Sequence, residues 1–244
     1  MRLLCGVLSC LLIGLTLSGC MFSEANLVEN QMPPNEWMDQ VQQAVDRYRA
    51  DTGGPLPILT KDADTPLYEK YPIDFGKLVP KYLFTVPPNA FEKEGGNHRY
   101  VLVDVETQPK VKLIDLRVTQ SVDEVQRAVQ SFYVINGHLP IKELMHYGYF
   151  RIDYGKLLVK ETMVQSPFTG SYLPLIMDRY GRVGVDYAAD IQRLIAAKGE
   201  GLEAQQANRD LRQLLSESSW FLPADSFPYF YQDGEPVPQL LPRP

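Results

Sequence analysis

The chain has 244 residues, 45% of them hydrophobic, with 24 Lys and Arg against 30 Asp and Glu and a formal net charge of −6. Such a composition suits a globular protein with a sizeable core. The acidic balance and the lack of a basic block argue against nucleic acid as a partner, and against electrostatic adhesion to anionic lipid.

The amino terminus carries one charge, Arg2, followed by an uncharged stretch over residues 3–19 that ends Leu17-Ser18-Gly19-Cys20. A positive start, an apolar run and a small-residue end at a cysteine have the shape of a secretory signal. The tetrapeptide resembles the lipobox of bacterial lipoproteins. The resemblance implies a signal peptide over 1–19, cleavage before Cys20, and a diacylglyceryl thioether plus N-acyl group on Cys20, with palmitate-type chains. Several acyl chains at about 0.8 kcal/mol per buried CH₂ hold a protein stably at a membrane. An apolar run of 17 residues interrupted by Gly6 and Gly14 is a poor transmembrane helix. The expected address is the extracytoplasmic face of the cell membrane. Removing Arg2 leaves 23 basic against 30 acidic side chains. The three cysteines, Cys5, Cys10 and Cys20, are spent on the leader and the anchor, so neither disulfide nor cysteine metal site is expected in the exported part.

Residues 23–35 are polar and end Met32-Pro33-Pro34-Asn35, which makes 20–35 a lipidated tether. After it the chain states one plan twice. Val41-Gln42-Gln43-Ala44-Val45, Tyr48, Gly53 and Leu56-Pro57-Ile58 correspond to Val125-Gln126-Arg127-Ala128-Val129, Phe132, Gly137 and Leu139-Pro140-Ile141. Ile73-Asp74-Phe75-Gly76-Lys77-Leu78 corresponds to Ile152-Asp153-Tyr154-Gly155-Lys156-Leu157, Pro88 to Pro167, and Tyr100 and Val111 to Tyr172 and Val183. Four segments matched in order indicate a tandem duplication, with module 1 over 36–118 and module 2 over 119–187.

Each module opens with an amphipathic helix. Trp37, Val41, Ala44, Val45 and Tyr48 make the first apolar stripe, with Asn35 as cap and Gly53 as stop. Ser121 and Glu124 have capping-box spacing for the second, whose stripe is Val125, Ala128, Val129 and Phe132. Each module closes with a hairpin. The first runs over 100–105 and 111–116; the second runs over 172–177, turns at Asp178-Arg179-Tyr180-Gly181 and returns through Val183 and Val185. A helical region over 188–219 follows, with helices expected over 188–197 and 202–215. The tail, 220–244, is so rich in proline and aromatic residues that no regular structure is expected, only an extension or a strap over a groove. The fold class is α+β: two tandem helix-plus-hairpin modules, a helical region and a tail.

The text Tyr48 to Pro57, Leu78-Val79-Pro80-Lys81-Tyr82-Leu83, Pro87-Pro88 and Arg99-Tyr100, with Ser166-Pro167-Phe168-Thr169-Gly170-Ser171-Tyr172 in module 2, resembles the globular head of type IV pilins and pseudopilins. The lipobox in place of a prepilin site and apolar helix argues against fibre assembly. The lipobox, the length and the repeated Asp-Phe/Tyr-Gly-Lys unit together resemble the YphF-type lipoproteins of Bacillus, which implies a Gram-positive membrane location and brings no established activity.

Asp74-Phe75-Gly76 spells a kinase tripeptide without the accompanying nucleotide and catalytic loops; a turn or helix cap at Asp74 and Asp153 is the simpler expectation. His98, His138 and His146 lack zinc-binding spacing, with Glu143 the one carboxylate near the last two. Ser171 sits on no nucleophile elbow, and no carboxylate pair can be selected from sequence for glycosidase chemistry. No catalytic, metal or cofactor residue is expected. The aromatic runs Tyr147-Gly148-Tyr149-Phe150 and Phe227-Pro228-Tyr229-Phe230-Tyr231 are core if buried, and bind peptide or glycan through ring faces if exposed. The expected function is a non-catalytic binding or scaffold protein at the envelope. Its partners are the membrane through Cys20 and an envelope protein or cell-wall component. A solute-binding lipoprotein of an ABC-type transporter and a secretion or pilus accessory protein are the alternatives.

Overall fold

The computed structural model describes residues 34–62, 65–198 and 209–240. The expected signal peptide, Cys20 and most of the expected tether lie outside these residues. The chain divides into two compact units between Trp37 and Met38. Of the first unit only the opening turn of a helix is described; the second holds all the other described elements.

The architecture is α+β. Helix α1 spans Pro34–Thr52. Its first residue is proline, whose missing N–H has no intrahelical partner to lose at that position. Gly53, at φ 74°, ends it in the left-handed conformation that a Cβ disfavours. Met38, Val41, Ala44 and Val45 are buried on one face. A short helix α2, Phe75–Leu78, and the antiparallel pair β1 (His98–Val103) and β2 (Lys110–Asp115) complete the first segment. The helical face packs with Ile73, Phe75, Leu78, Tyr100, Leu102, Val111 and Leu113 in one core.

Helix α3, Leu116–Asn136, begins directly where β2 ends. Asp115 is the cap: its carboxylate accepts from the Arg117 amide at 3.0 Å. The expected capping box at Ser121 and Glu124 is therefore corrected. Ser121 lies inside the helix and its hydroxyl donates to the Arg117 carbonyl at 3.0 Å. The helix starts one and a half turns earlier because Val118 and Val122 extend the buried stripe of Val125 and Val129 backwards.

The second segment has more strands than its hairpin. β3 (Ile141–His146), β4 (Tyr149–Ile152), β5 (Met163–Gln165), β6 (Tyr172–Asp178) and β7 (Val183–Val185) form one antiparallel sheet in which β6 pairs with β4, β5 and β7. Leu173, Leu175 and Met177 on one face of β6 pack with the α3 stripe, while Ile176 points to the other face.

Similar side-chain bonds occur in the two segments. Gln42 donates to the Pro109 carbonyl at 3.0 Å and accepts from the Val111 amide at 2.8 Å. Gln126 donates to Gly181 at 2.9 Å and accepts from Val183 at 2.8 Å. Asp74 accepts from Gly76 and Asp153 from Gly155. Lys77 donates to the Ile58 carbonyl and Lys156 to that of Ile141. Strand pairing corrects one correspondence. Val111 lies opposite Leu102 and Val183 opposite Met177, so Tyr100 corresponds to Leu175 and not to Tyr172. Tyr100 is 1% exposed and Tyr172 is 68% exposed. The second turn is three residues shorter, which shifts the outgoing strand relative to the text.

The expectation of an irregular carboxyl-terminal tail is also corrected. Helices α4 (Ala188–Lys198) and α5 (Arg212–Ser218) come first, and part of the second expected helix lies outside the described residues. Residues 220–226 then run beside both returning strands. Leu113 donates to the Trp220 carbonyl and accepts from Leu222, each at 2.9 Å, and Val185 donates to Asp225 at 2.8 Å. The segment thus covers strand edges at equivalent places in both segments. It ends in a hairpin, β8 (Tyr229–Gln232) with β9 (Glu235–Pro238). Asp233 and Gly234 both have positive φ, 52° and 93°, as a type I′ turn requires. Counting from that turn, Pro236 and Pro238 fall at non-hydrogen-bonded positions, where a missing N–H costs the ribbon nothing.

Candidate ligand-binding groove

The turn between β3 and β4 has two residues, Tyr147 and Gly148. Gly148 has φ 81°. A Cβ there would lie 2.6 Å from Leu240 Cδ1, so glycine lets the end of the carboxyl-terminal hairpin rest on the turn. The turn splits the aromatic run: Tyr149, the first residue of β4, is fully buried, while Tyr147, in the turn itself, is 82% exposed.

Arg179 follows β6, and its amide donates to the Gly148 carbonyl at 2.8 Å. Its guanidinium lies 5.4 Å from the Tyr147 ring centre and 5.5 Å from that of Tyr180. Both separations suit cation–π attraction. Bonding to Tyr147, and then the charge of Tyr180, raises the basicity of Arg179. Buried Asp178 fixes this corner. Its carboxylate accepts from the amides of Tyr180 at 2.8 Å and Arg182 at 3.0 Å, and from Arg182 Nε at 2.5 Å.

The opposing wall is the β8–β9 hairpin. A groove of about 490 Å³ separates the two walls. His146, Tyr147 and Arg179 stand on one side, and Gln232, Asp233, Glu235 and Gln239 on the other. One wall carries a cation, the other two carboxylates and two amides. Such a groove offers an aromatic ring face together with carboxylate and amide hydrogen-bonding groups.

A second cavity, about 450 Å³, lies where the two segments meet the tail, lined among others by Tyr68, Glu69, Tyr149, Arg182, Arg212 and Asp225. Its cations are already engaged. Arg212 bonds Asp210 at 2.7 Å and donates to the Ser226 carbonyl at 3.0 Å, and Arg182 bonds Asp178. The Tyr68 and Tyr149 hydroxyls are buried without a partner among the described residues. Burial raises the Tyr68 pKa to about 12. Burial also raises the Asp225 pKa against the Thr119 hydroxyl, which donates to its carboxylate at 2.7 Å. Burial and then Asp225 raise that of Glu69.

The residues singled out from sequence are scattered. Asp74 and Asp153 cap short helical turns. Burial depresses the His98 pKa, and its ring lies 5.5 Å from Phe221. His138 is exposed beside Phe132, and Glu143 is paired with Arg151 at 2.5 Å. The Ser171 backbone carbonyl accepts from the Ser166 amide at 2.8 Å in a turn. Among the described residues no three His, Cys, Asp or Glu side chains could hold a metal, and no helix is long and apolar enough to cross a membrane. Of the first aromatic run only Tyr147 reaches the groove. In the second, Phe227 and Tyr229 are core. Sequence reasoning missed Arg179, Gln232, Asp233, Glu235 and Leu240 as groove residues. The Asp233-Gly234 dipeptide after an aromatic run was the signal for the hairpin that carries them.

Residues 34–115 match the model of the YphF family N-terminal domain, a stretch that runs from the first residue of α1 to the last of β2. No match was found among curated proteins or among solved structures.

Proposed function

We propose that this protein is a YphF-type lipoprotein, anchored through Cys20 to the extracytoplasmic face of a Gram-positive membrane, and that it acts without catalysis as a binding protein for an envelope component. The groove between Tyr147 and the β8–β9 hairpin carries the reading. It sets an exposed ring, held by Arg179, against uncommitted polar side chains. The lipobox Leu17-Ser18-Gly19-Cys20 and the polar stretch after it support the anchor. The matched bonds of Gln42 and Gln126 support a second copy of the amino-terminal domain plan over 116–185.

A transporter-type binder closes two lobes on a hinge. The direct join of β2 to α3 at Asp115, and the tail bonded to both Leu113 and Val185, weigh against that alternative. The test of the anchor is fractionation and labelling of cells fed a tagged palmitate. Wild type is expected labelled in the membrane fraction, and Cys20→Ala unlabelled and uncleaved. Equal labelling of both refutes a lipid on Cys20.

A further inference from the structure

We propose that the groove binds a neutral, hydroxyl-rich oligosaccharide, with Tyr147 as the platform for a sugar ring and Gln232, Asp233, Glu235 and Gln239 as partners of its hydroxyls. This rests on the binding-protein reading above and names its ligand.

Four observations lead to a saccharide. The first is the platform. Tyr147 is 82% exposed at the turn between β3 and β4 and lines the groove, so its ring is open to a ligand there. Arg179 lies 5.4 Å from the ring centre, a cation–π contact that favours this orientation of the ring. A pyranose presents C–H bonds on its face and hydroxyls on its edge, and an aromatic face beside polar groups matches both.

The second is the opposing wall. Gln232, Asp233, Glu235 and Gln239 form no side-chain hydrogen bond or ion pair with other described residues. Carboxylates accept, and amides both accept and donate, as paired hydroxyls require. The third is the edge of β9. Pro236 and Pro238 supply no N–H and both are buried, so β9 offers no open edge to an added peptide strand. That disfavours an extended peptide. The fourth is charge. Arg179 faces Asp233 and Glu235, so the groove has no excess of cations to hold a phosphate or polyanion. The volume, about 490 Å³, lies in the range of about 300–1,000 Å³ usual for small-ligand sites.

The test titrates the full-length protein in detergent with tetramers of β-linked glucose and of N-acetylglucosamine, with a tetrapeptide and a short polyglycerol phosphate in parallel, by calorimetry. Wild type is expected to bind an oligosaccharide and neither of the other two probes. Tyr147→Ala is expected to weaken binding tenfold or more, and Tyr147→Phe less than threefold, because the ring is what matters. Asp233→Asn tests the opposing wall with an expected loss of threefold or more. Tyr147 is exposed, so unchanged unfolding curves for its variants separate lost binding from lost folding. Oligosaccharide binding indifferent to Tyr147→Ala overturns the site. Tyr147-dependent binding of the peptide or the phosphate polymer in place of a sugar overturns the saccharide and leaves the binding protein standing. No binding of any probe overturns both.

Discussion

Replacing Gln126 by alanine removes two hydrogen bonds from one side chain. Gln126 Oε1 accepts from the Val183 amide at 2.8 Å and Nε2 donates to the Gly181 carbonyl at 2.9 Å, tying α3 to the start of β7. Val183 and Gly181 are buried, so water replaces the lost partner of either backbone group only in part. A buried group left unpaired costs about 1–3 kcal/mol, and alanine in a helix returns a few tenths. The bonds are partly reached by solvent, so the lower half applies: a net loss of about 2 kcal/mol for the pair. For a chain of this size that lowers Tm by about 4–8 °C. Urea unfolding of the full-length protein at pH 7 measures it, with an unchanged denaturant slope as the sign that the folded state is otherwise the same. Gln42→Ala is expected to cost a similar amount, since its bonds to Val111 and Pro109 match in kind and length. The two glutamines serve separate cores, so the double variant is expected to lose the sum within about 0.5 kcal/mol. A loss below about 0.5 kcal/mol for Gln126→Ala refutes the argument that these bonds hold helix to hairpin.

Gly148→Ala puts a Cβ 2.6 Å from Leu240 Cδ1 at a residue of φ 81°. The left-handed conformation alone costs about 1–2 kcal/mol. The expected result is that loss in urea together with faster amide exchange over 229–240, as Leu240 is pushed off the turn; unchanged exchange there shows that the hairpin does not depend on this contact. Asp225 gives a pH dependence. Burial raises its folded pKa above the ordinary 3.8, with Thr119 and Arg99 opposing and Asp123 adding to the rise. A carboxyl raised on folding contributes its stability when protonated, below the unfolded value, and loses it as pH climbs through the folded value. Asp225→Asn keeps an acceptor for Thr119 and removes the charge, so between pH 4 and 8 wild type is expected to lose stability relative to the variant. Parallel stability curves over that window count against a buried ionisable Asp225.

Much of the fold was legible because it rests on local rules. The α1 and α3 stripes follow from 3.6-residue spacing at Val41, Ala44 and Val45 and at Val125 and Val129. Both hairpins follow from alternation and turn residues, and the β6–β7 turn sits at Asp178 to Gly181 as its residues suggest. The start of α3 is not legible locally. Asp115 is both the end of a strand and a helix cap, and nothing local ranks it above Ser121. The regular part of the tail is not legible from its proline content, which says nothing of where the prolines fall. Pro236 and Pro238 are tolerated once Asp233-Gly234 fixes the register. Strands β3 to β5 escaped notice because their residues are mostly exposed or short, and the sheet around β6 makes them strands.

By itself, then, the sequence determined what depends on neighbours along the chain: the two amphipathic helices, the two hairpins expected at 100–116 and 172–185, and the repeated caps at Asp74 and Asp153. Tertiary structure decided what depends on residues far apart in number. It set Tyr147 out and Tyr149 in, laid residues 220–226 along both Leu113 and Val185, and brought Asp233 and Glu235 across from Arg179. The physical reason is range. Propensity and capping act within a turn or two, whereas a groove is made by surfaces that meet only after the cores behind them have packed.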